Sequence, residues 1–215
     1  MANPDLTHLV FLLDRSGSMR SIKSDVKEGF SAFIEEQGGV EGDCVVTLAQ
    51  FDTHYEVVYQ GIPLDEVPEL NLQPRSRTAL LDAMGRLITE VSAELASLPD
   101  DERPGTVIVA IMTDGLENAS RDWTHPAIKS LVELHTNQYD WQFLYMGADQ
   151  DAVEVGTRLG VQRAQSLIYS KRRSREAMAA ASQNVGNYRR MKKLDPEADM
   201  PEFDSFQRRL AEGRD

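Results

Sequence analysis

His8-Leu-Val-Phe-Leu-Leu-Asp14-Arg-Ser-Gly-Ser-Met19 and Thr106-Val-Ile-Val-Ala-Ile-Met-Thr-Asp114-Gly115 follow one plan: an apolar run of strand length, then an aspartate, then residues that turn the chain. A strand with one face in water alternates polar and apolar residues, whereas a run that is apolar at nearly every position is covered on both faces, as in the middle of a parallel sheet. In such sheets ligands collect beyond the carboxyl ends of the strands. Asp14 and Asp114 therefore stand where a site would form.

Around these two runs, strand-length segments recur at 8–13, 44–51, 55–59, 106–113, 142–146 and 164–169. Between them, at 22–36, 78–98, 126–138, 151–159 and 175–193, apolar residues recur three and four apart, the spacing of an amphipathic helix. Alternation of the two kinds predicts an α/β fold, a Rossmann-like doubly wound sheet of six strands, mostly parallel, with helices on both faces. Only residues 52–54 separate the second strand from the third, so these two form a hairpin and the third is the one antiparallel edge strand. Residues 1–193 make one domain that ends in a basic helix; from 194 to 215, two prolines and scant periodicity predict a loosely ordered acidic tail.

The net charge of -12 argues against nucleic acid as a partner, because a phosphate backbone requires a basic face. Charge is uneven, however: residues 171–193 hold eight bases against Glu176, which makes either a second contact surface or a helix lying on the acidic body. The apolar runs fall well short of the roughly 20 residues that cross a bilayer, and MANPDLTH has neither a basic nor an apolar leader region, so a cytoplasmic monomer without membrane contact is expected. Cys44 has no partner cysteine and reads as a buried strand residue. His8, His54, His125 and His135 lack metal-pair spacing and are expected in strand, turn and surface positions. No nucleophile elbow and no phosphate-binding glycine loop occurs.

Between the two aspartate loops, PRSRTALLDA puts Thr78 at the amino end of a long helix. Two carboxylates (Asp14, Asp114) and three hydroxyls (Ser16, Ser18, Thr78) can thus converge at one end of the sheet. Such donors suit a hard cation: magnesium takes oxygen ligands and keeps several waters, so few carboxylates and several neutral oxygens serve it well. A cation held mainly by uncharged oxygens keeps most of its charge and attracts an anionic oxygen from outside. Asp82, one helical turn past Thr78, either supports that site or favours the helix dipole, and Asp149 either reaches the same rim or caps a helix.

The order Asp-x-Ser-x-Ser after a first strand, a threonine about 60 residues on, and Thr-Asp-Gly after an apolar strand resembles the von Willebrand factor A family with its metal-ion-dependent adhesion site, in the small stand-alone form of bacteria and their viruses. Thr78-Ala-Leu-Leu-Asp-Ala83 is similar to that family's helix start, although Ser76-Arg77 stands where a glycine is often found. The resemblance implies Asp14, Ser16, Ser18, Thr78 and Asp114 as metal residues, Mg2+ as the ion with Mn2+ or Ca2+ as substitutes, and no enzyme activity. It further implies a protein partner that supplies an Asp or Glu to the metal, with an AAA ATPase of the MoxR type or a metal-stress system as the analogous setting. Two other readings stay open: a metal-free scaffold, and a haloacid-dehalogenase-like phosphotransferase, whose opening motif VFLLDRSGS resembles although Ser16 replaces the second aspartate.

Overall fold

The computed structural model describes residues 2–148 and 151–214; Asp149 lies outside them. Its strands are β1 (Asn3–Asp14), β2 (Asp43–Phe51), β3 (Tyr55–Pro63), β4 (Pro104–Thr113), β5 (Gln142–Ala148) and β6 (Ser166–Tyr169). They form one sheet in the order β3-β2-β1-β4-β5-β6. β2 and β3 pair antiparallel and the other neighbours pair parallel, which is the expected sheet with one antiparallel edge. Helices α1 (Lys23–Gly38), α2 (Leu80–Ser97), α3 (His125–Tyr139), α4 (Ala152–Arg158), α5 (Ser174–Leu194) and α6 (Ser205–Glu212) flank it.

The continuous hydrophobicity of β1 has the cause expected of it. Leu9, Phe11 and Leu13 pack into a core with Val26, Phe30 and Phe33 of α1 and Met178, Ala181 and Val185 of α5. Val10 and Leu12 point the other way, into a core with Leu80, Met84 and Leu87 of α2 and Ile128 of α3. Phe11 meets Phe30 and Phe33 edge-on, with ring centroids 5.0 and 4.9 Å apart, a geometry worth about 0.5–1.5 kcal/mol per pair beyond burial. Where α1 crosses α5 the helices touch closely: a methyl group added to Gly29 would stand 3.1 Å from Met178 Cβ.

The basic helix lies on the acidic body. Lys192 pairs with Asp140, Lys193 with Glu41 and Arg175 with Glu28. Arg189 is buried and donates to the carbonyl oxygens of Gln37 and Gly42.

The expectation of a loosely ordered tail is corrected. Residues beyond 194 return to the core, where Met200, Phe203 and Ala211 are buried against the α1/α5 layer. α6 begins in a capping box, with Asp204 Oδ1 accepting from Gln207 N at 2.8 Å and Gln207 Oε1 from Asp204 N at 3.0 Å. Arg208 then donates to the Ser166 carbonyl at 2.9 Å, so the tail covers the short edge strand β6. Its few apolar residues escape a periodicity test because their partners lie on other elements, in the α1/α5 layer, rather than one helical turn away.

Cys44 is buried on β2, where burial pushes its thiol up to about 11. His8 is a strand residue hydrogen-bonded to Thr47 Oγ1 at 2.8 Å, and burial lowers it to about 4. His135, expected at the surface, is instead buried beside Trp141, with ring centroids 4.5 Å apart.

Candidate metal centre

β1 and β4 are adjacent central strands, and the chain runs outward in opposite directions from them, so the sheet's topological switch lies at their carboxyl ends. Parallel register sets Leu13 beside Met112, which brings Asp14 level with Thr113 and Asp114 just beyond. Thr113 Oγ1 donates to Asp14 Oδ2 at 2.6 Å and Ser16 N donates to Asp14 Oδ1 at 2.6 Å. The two serine hydroxyls lie 3.0 Å apart, and Ser18 Oγ donates to Asp114 Oδ1 at 2.5 Å.

Thr78 arrives from the opposite side. A methyl group added to Gly115 would stand 2.8 Å from Thr78 Oγ1, 3.5 Å from Ser18 Oγ and 3.7 Å from Asp14 Oδ2. Oxygens from the Asp14–Ser18 loop and from Thr78 therefore face one small space on the third loop, which the absence of a side chain at Gly115 keeps open. All five residues singled out in the sequence meet there.

The loop after Asp114 holds Thr78 in place. Thr78 N donates to Asn118 Oδ1 at 3.1 Å, and Asn118 N donates to Thr78 O at 3.0 Å. α2 starts at Leu80, two residues later than expected, without a capping side chain of its own. Its free amides are satisfied from the loop, Leu81 N by Glu117 Oε2 and Asp82 N by Ser120 Oγ, each at 3.0 Å. Asp82 answers by accepting the backbone N–H groups of Arg121, Asp122 and Trp123 at 2.8 to 3.0 Å. It thus orders the loop that orders Thr78.

The Asp14 loop rests on a buried ion-pair cluster that sequence spacing did not reveal. Asp52, at the β2–β3 turn and fully buried, accepts from Arg15 Nε at 3.0 Å, Arg75 Nε at 2.8 Å and His54 N at 2.8 Å. Arg15 also pairs with Glu56. Burial works to raise the Asp52 carboxyl, but the bonds from Arg75 and His54 and the Arg15 charge outweigh it and hold it low. Gly17 N donates to Ser76 O at 3.1 Å, and Ser76 takes a left-handed φ of 62° to present that oxygen. This backbone explains why a glycine suits that segment.

Asp14 is fully buried and its oxygens accept hydrogen bonds from neutral groups. Burial, opposed by the bonds from Thr113 and Ser16 and reinforced by repulsion from Asp114, lifts its carboxyl to about 6. Positive charge placed beside it would offset that cost. Two carboxylates and three hydroxyls, with no sulfur or nitrogen among them, fit a hard divalent cation by donor chemistry. Among the described residues no three His, Cys, Asp or Glu side chains gather to hold a metal, so a cation at this centre would depend on its hydroxyls as well as its two carboxylates. One further group touches the centre: Lys171 Nζ, 2.8 Å from Asp114 Oδ2.

No family model matches the chain. No curated protein matches it either. Among solved structures, a von Willebrand factor type A protein from Catenulispora acidiphila aligns at TM-score 0.59 and 14% identity, over 86% of this chain and 43% of that one. The ArnB paralog VWA2 from Sulfolobus acidocaldarius aligns at TM-score 0.53 and 15% identity, over 84% of this chain and 45% of that one. Proximal thread matrix protein 1 from the mussel byssus, with a zinc-occupied MIDAS motif, aligns at TM-score 0.57 and 12% identity, over 86% and 47%. The chain spans less than half the length of each of these three relatives. Shared across so little sequence identity is the order and pairing of the sheet described above, and this protein has the von Willebrand factor A fold.

Proposed function

We propose that this protein is a protein-interaction module that depends on a divalent cation, magnesium by preference with manganese or calcium as substitutes, and that it is not an enzyme. The observation that carries the proposal is the convergence of Asp14 Oδ2, Ser18 Oγ and Thr78 Oγ1 around Gly115, beside a buried aspartate whose oxygens meet neutral donors. Ser16, Ser18 and Thr78 would hold the ion directly, with Asp14 and Asp114 acting mainly through water. The zinc-occupied site of the similarly folded mussel protein supports a cation at this place in the fold. A cation there would offer an electrophilic position to one carboxylate oxygen from outside.

The partner proposed is a protein that supplies that Asp or Glu, with an AAA ATPase of the MoxR type or a metal-stress component as the setting analogy suggests. The Ser16 and Ser18 hydroxyls bond to each other and Asp114 accepts from Ser18, while the Thr113 bond keeps Asp14 turned into the site. Steering of an acidic partner falls to Arg75 and Arg77 at the rim rather than to Arg15, whose side chain is buried between Asp52 and Glu56. The phosphotransferase alternative needs a carboxylate two residues after Asp14, and Ser16 Oγ, bonded to Ser18 Oγ, offers none.

Calorimetric titration with magnesium tests the reading: one equivalent binds to the wild type and none to Asp14→Ala. Pull-downs in magnesium and in EDTA then find the partner. Binding that persists in EDTA and resists removal of every exposed partner carboxylate would refute the metal bridge.

A further inference from the structure

Lys171 sits 57 residues beyond Asp114 in sequence, in the basic segment that otherwise lies on the acidic body, yet its ammonium reaches the centre. We propose that Lys171 is a resident cation of this centre that holds down its affinity for a divalent ion. The inference rests on the metal-dependent reading of the site.

The Asp114 carboxylate has no exposure, and both its oxygens are engaged, Oδ1 by Ser18 and Oδ2 by Lys171 at 2.8 Å. The Lys171 side chain is only 34% exposed. Its backbone is held from both sides. Just before it, Tyr169 Oη donates to the Thr113 carbonyl at 3.1 Å and Ser170 N to the Ala211 carbonyl at 2.9 Å. Just after it, Arg173 N donates to Ser170 O at 2.7 Å. The backbone that carries Lys171 is therefore fixed by β4, β6 and α6 together, which keeps its ammonium within reach of Asp114.

Charge counting gives the consequence. Asp14 and Asp114 supply two negative charges, the hydroxyls none, and Lys171 one positive, so the centre carries a net charge of −1 where its carboxylates alone would carry −2. A divalent ion entering it meets a like charge already bonded to one of its carboxylates. At the few ångströms involved, partly screened by water at the rim, that repulsion reduces affinity about tenfold. The loaded centre is then left with net charge +1, ready for an anionic oxygen.

The experiment titrates magnesium by calorimetry, at fixed ionic strength, into the full-length wild type and the variants Lys171→Met, Lys171→Gln and Lys171→Arg. The Met and Gln variants are expected to bind about tenfold more tightly than the wild type, and the Arg variant, which keeps the charge, to stay within about threefold. Asp14→Ala added to each variant abolishes the signal. The magnesium-induced rise in Tm, read separately, is larger for Met and Gln. Neutral variants that bind no better than a binding wild type overturn the role of Lys171 and leave the metal site standing. Failure of every protein to bind overturns both, whereas a neutral variant that binds where the wild type does not supports the proposal strongly. Should Lys171→Met not fold, comparison of Gln with Arg decides.

Discussion

Gly85→Ala pits helix propensity against the loop that holds the candidate site. Gly85 lies inside α2, where alanine is favoured over glycine by about 1 kcal/mol. A methyl group there, however, would stand 2.2 Å from Trp123 Cδ2 and Cε2 and 2.6 Å from Cγ. Carbon atoms settle at about 3.5–4.0 Å, so the indole must retreat by more than about 1 Å. Its backbone cannot follow freely, because Trp123 N is bonded to Asp82 at 2.9 Å. Overpacking of this kind costs about 1–3 kcal/mol, which cancels or outweighs the propensity gain and leaves a net loss of up to about 2 kcal/mol. The strain also passes to Asn118 and Glu117 of the same loop, which position Thr78 and the start of α2. Disturbing such supporting groups lowers metal affinity by about tenfold. Urea denaturation followed by far-UV circular dichroism reads the first effect, and magnesium calorimetry the second. A variant more stable than the wild type, with unchanged magnesium affinity, would show that Trp123 is free to move and that the loop does not hold the site.

Asp14→Asn is expected to abolish magnesium binding and yet stabilise the protein in EDTA. Since the folded protein holds the Asp14 carboxyl at about 6 against 3.8 ordinarily, this group's contribution is full below pH 3.8 and is lost as pH rises through 6. The gain from Asn therefore grows across that window to at most about 3 kcal/mol, and thermal melts that show no pH-dependent difference would contradict it. Asp52→Ala removes the acceptor shared by Arg15 and Arg75 and should cost about 3–5 kcal/mol by leaving buried Arg15 short of charge. Because Asp52 is held low, its stabilisation is present above pH 3.8 and fades as pH falls below it, a loss that acid titration of the wild type shows and the variant lacks. Ser76→Gly relieves a left-handed backbone at φ 62° and should raise stability by about 1 kcal/mol in urea melts; a fall would mean that the Ser76 hydroxyl bond to Thr53 outweighs the strain.

Much of this protein is local information. Runs apolar at every position on β1 and β4 require cover on two faces, so the parallel core and its layers are legible from periodicity alone, as is the hairpin from the three residues between β2 and β3. Asp14, Ser16, Ser18 and Asp114 are legible for the same reason: each follows the end of a strand whose position the hydrophobic pattern sets. Other parts depend on which distant residues happen to meet, and no spacing rule carries that. Asp52 is one residue of an ordinary turn until Arg15 and Arg75 close on it. Asp82 reads as a helix-dipole residue until three amides of the loop at 121–123 arrive. The tail looks unstructured because its buried residues, Met200, Phe203 and Ala211, find their partners on other elements and not within one helical turn. Lys171 belongs to the basic segment in sequence and to the centre in space, since only the pairing of β6 beside β5, and the phenol of Tyr169 on Thr113, carries it to Asp114. Hydrophobic periodicity encodes which face of an element is buried; which charged side chains share a site is decided when the sheet brings strand ends together.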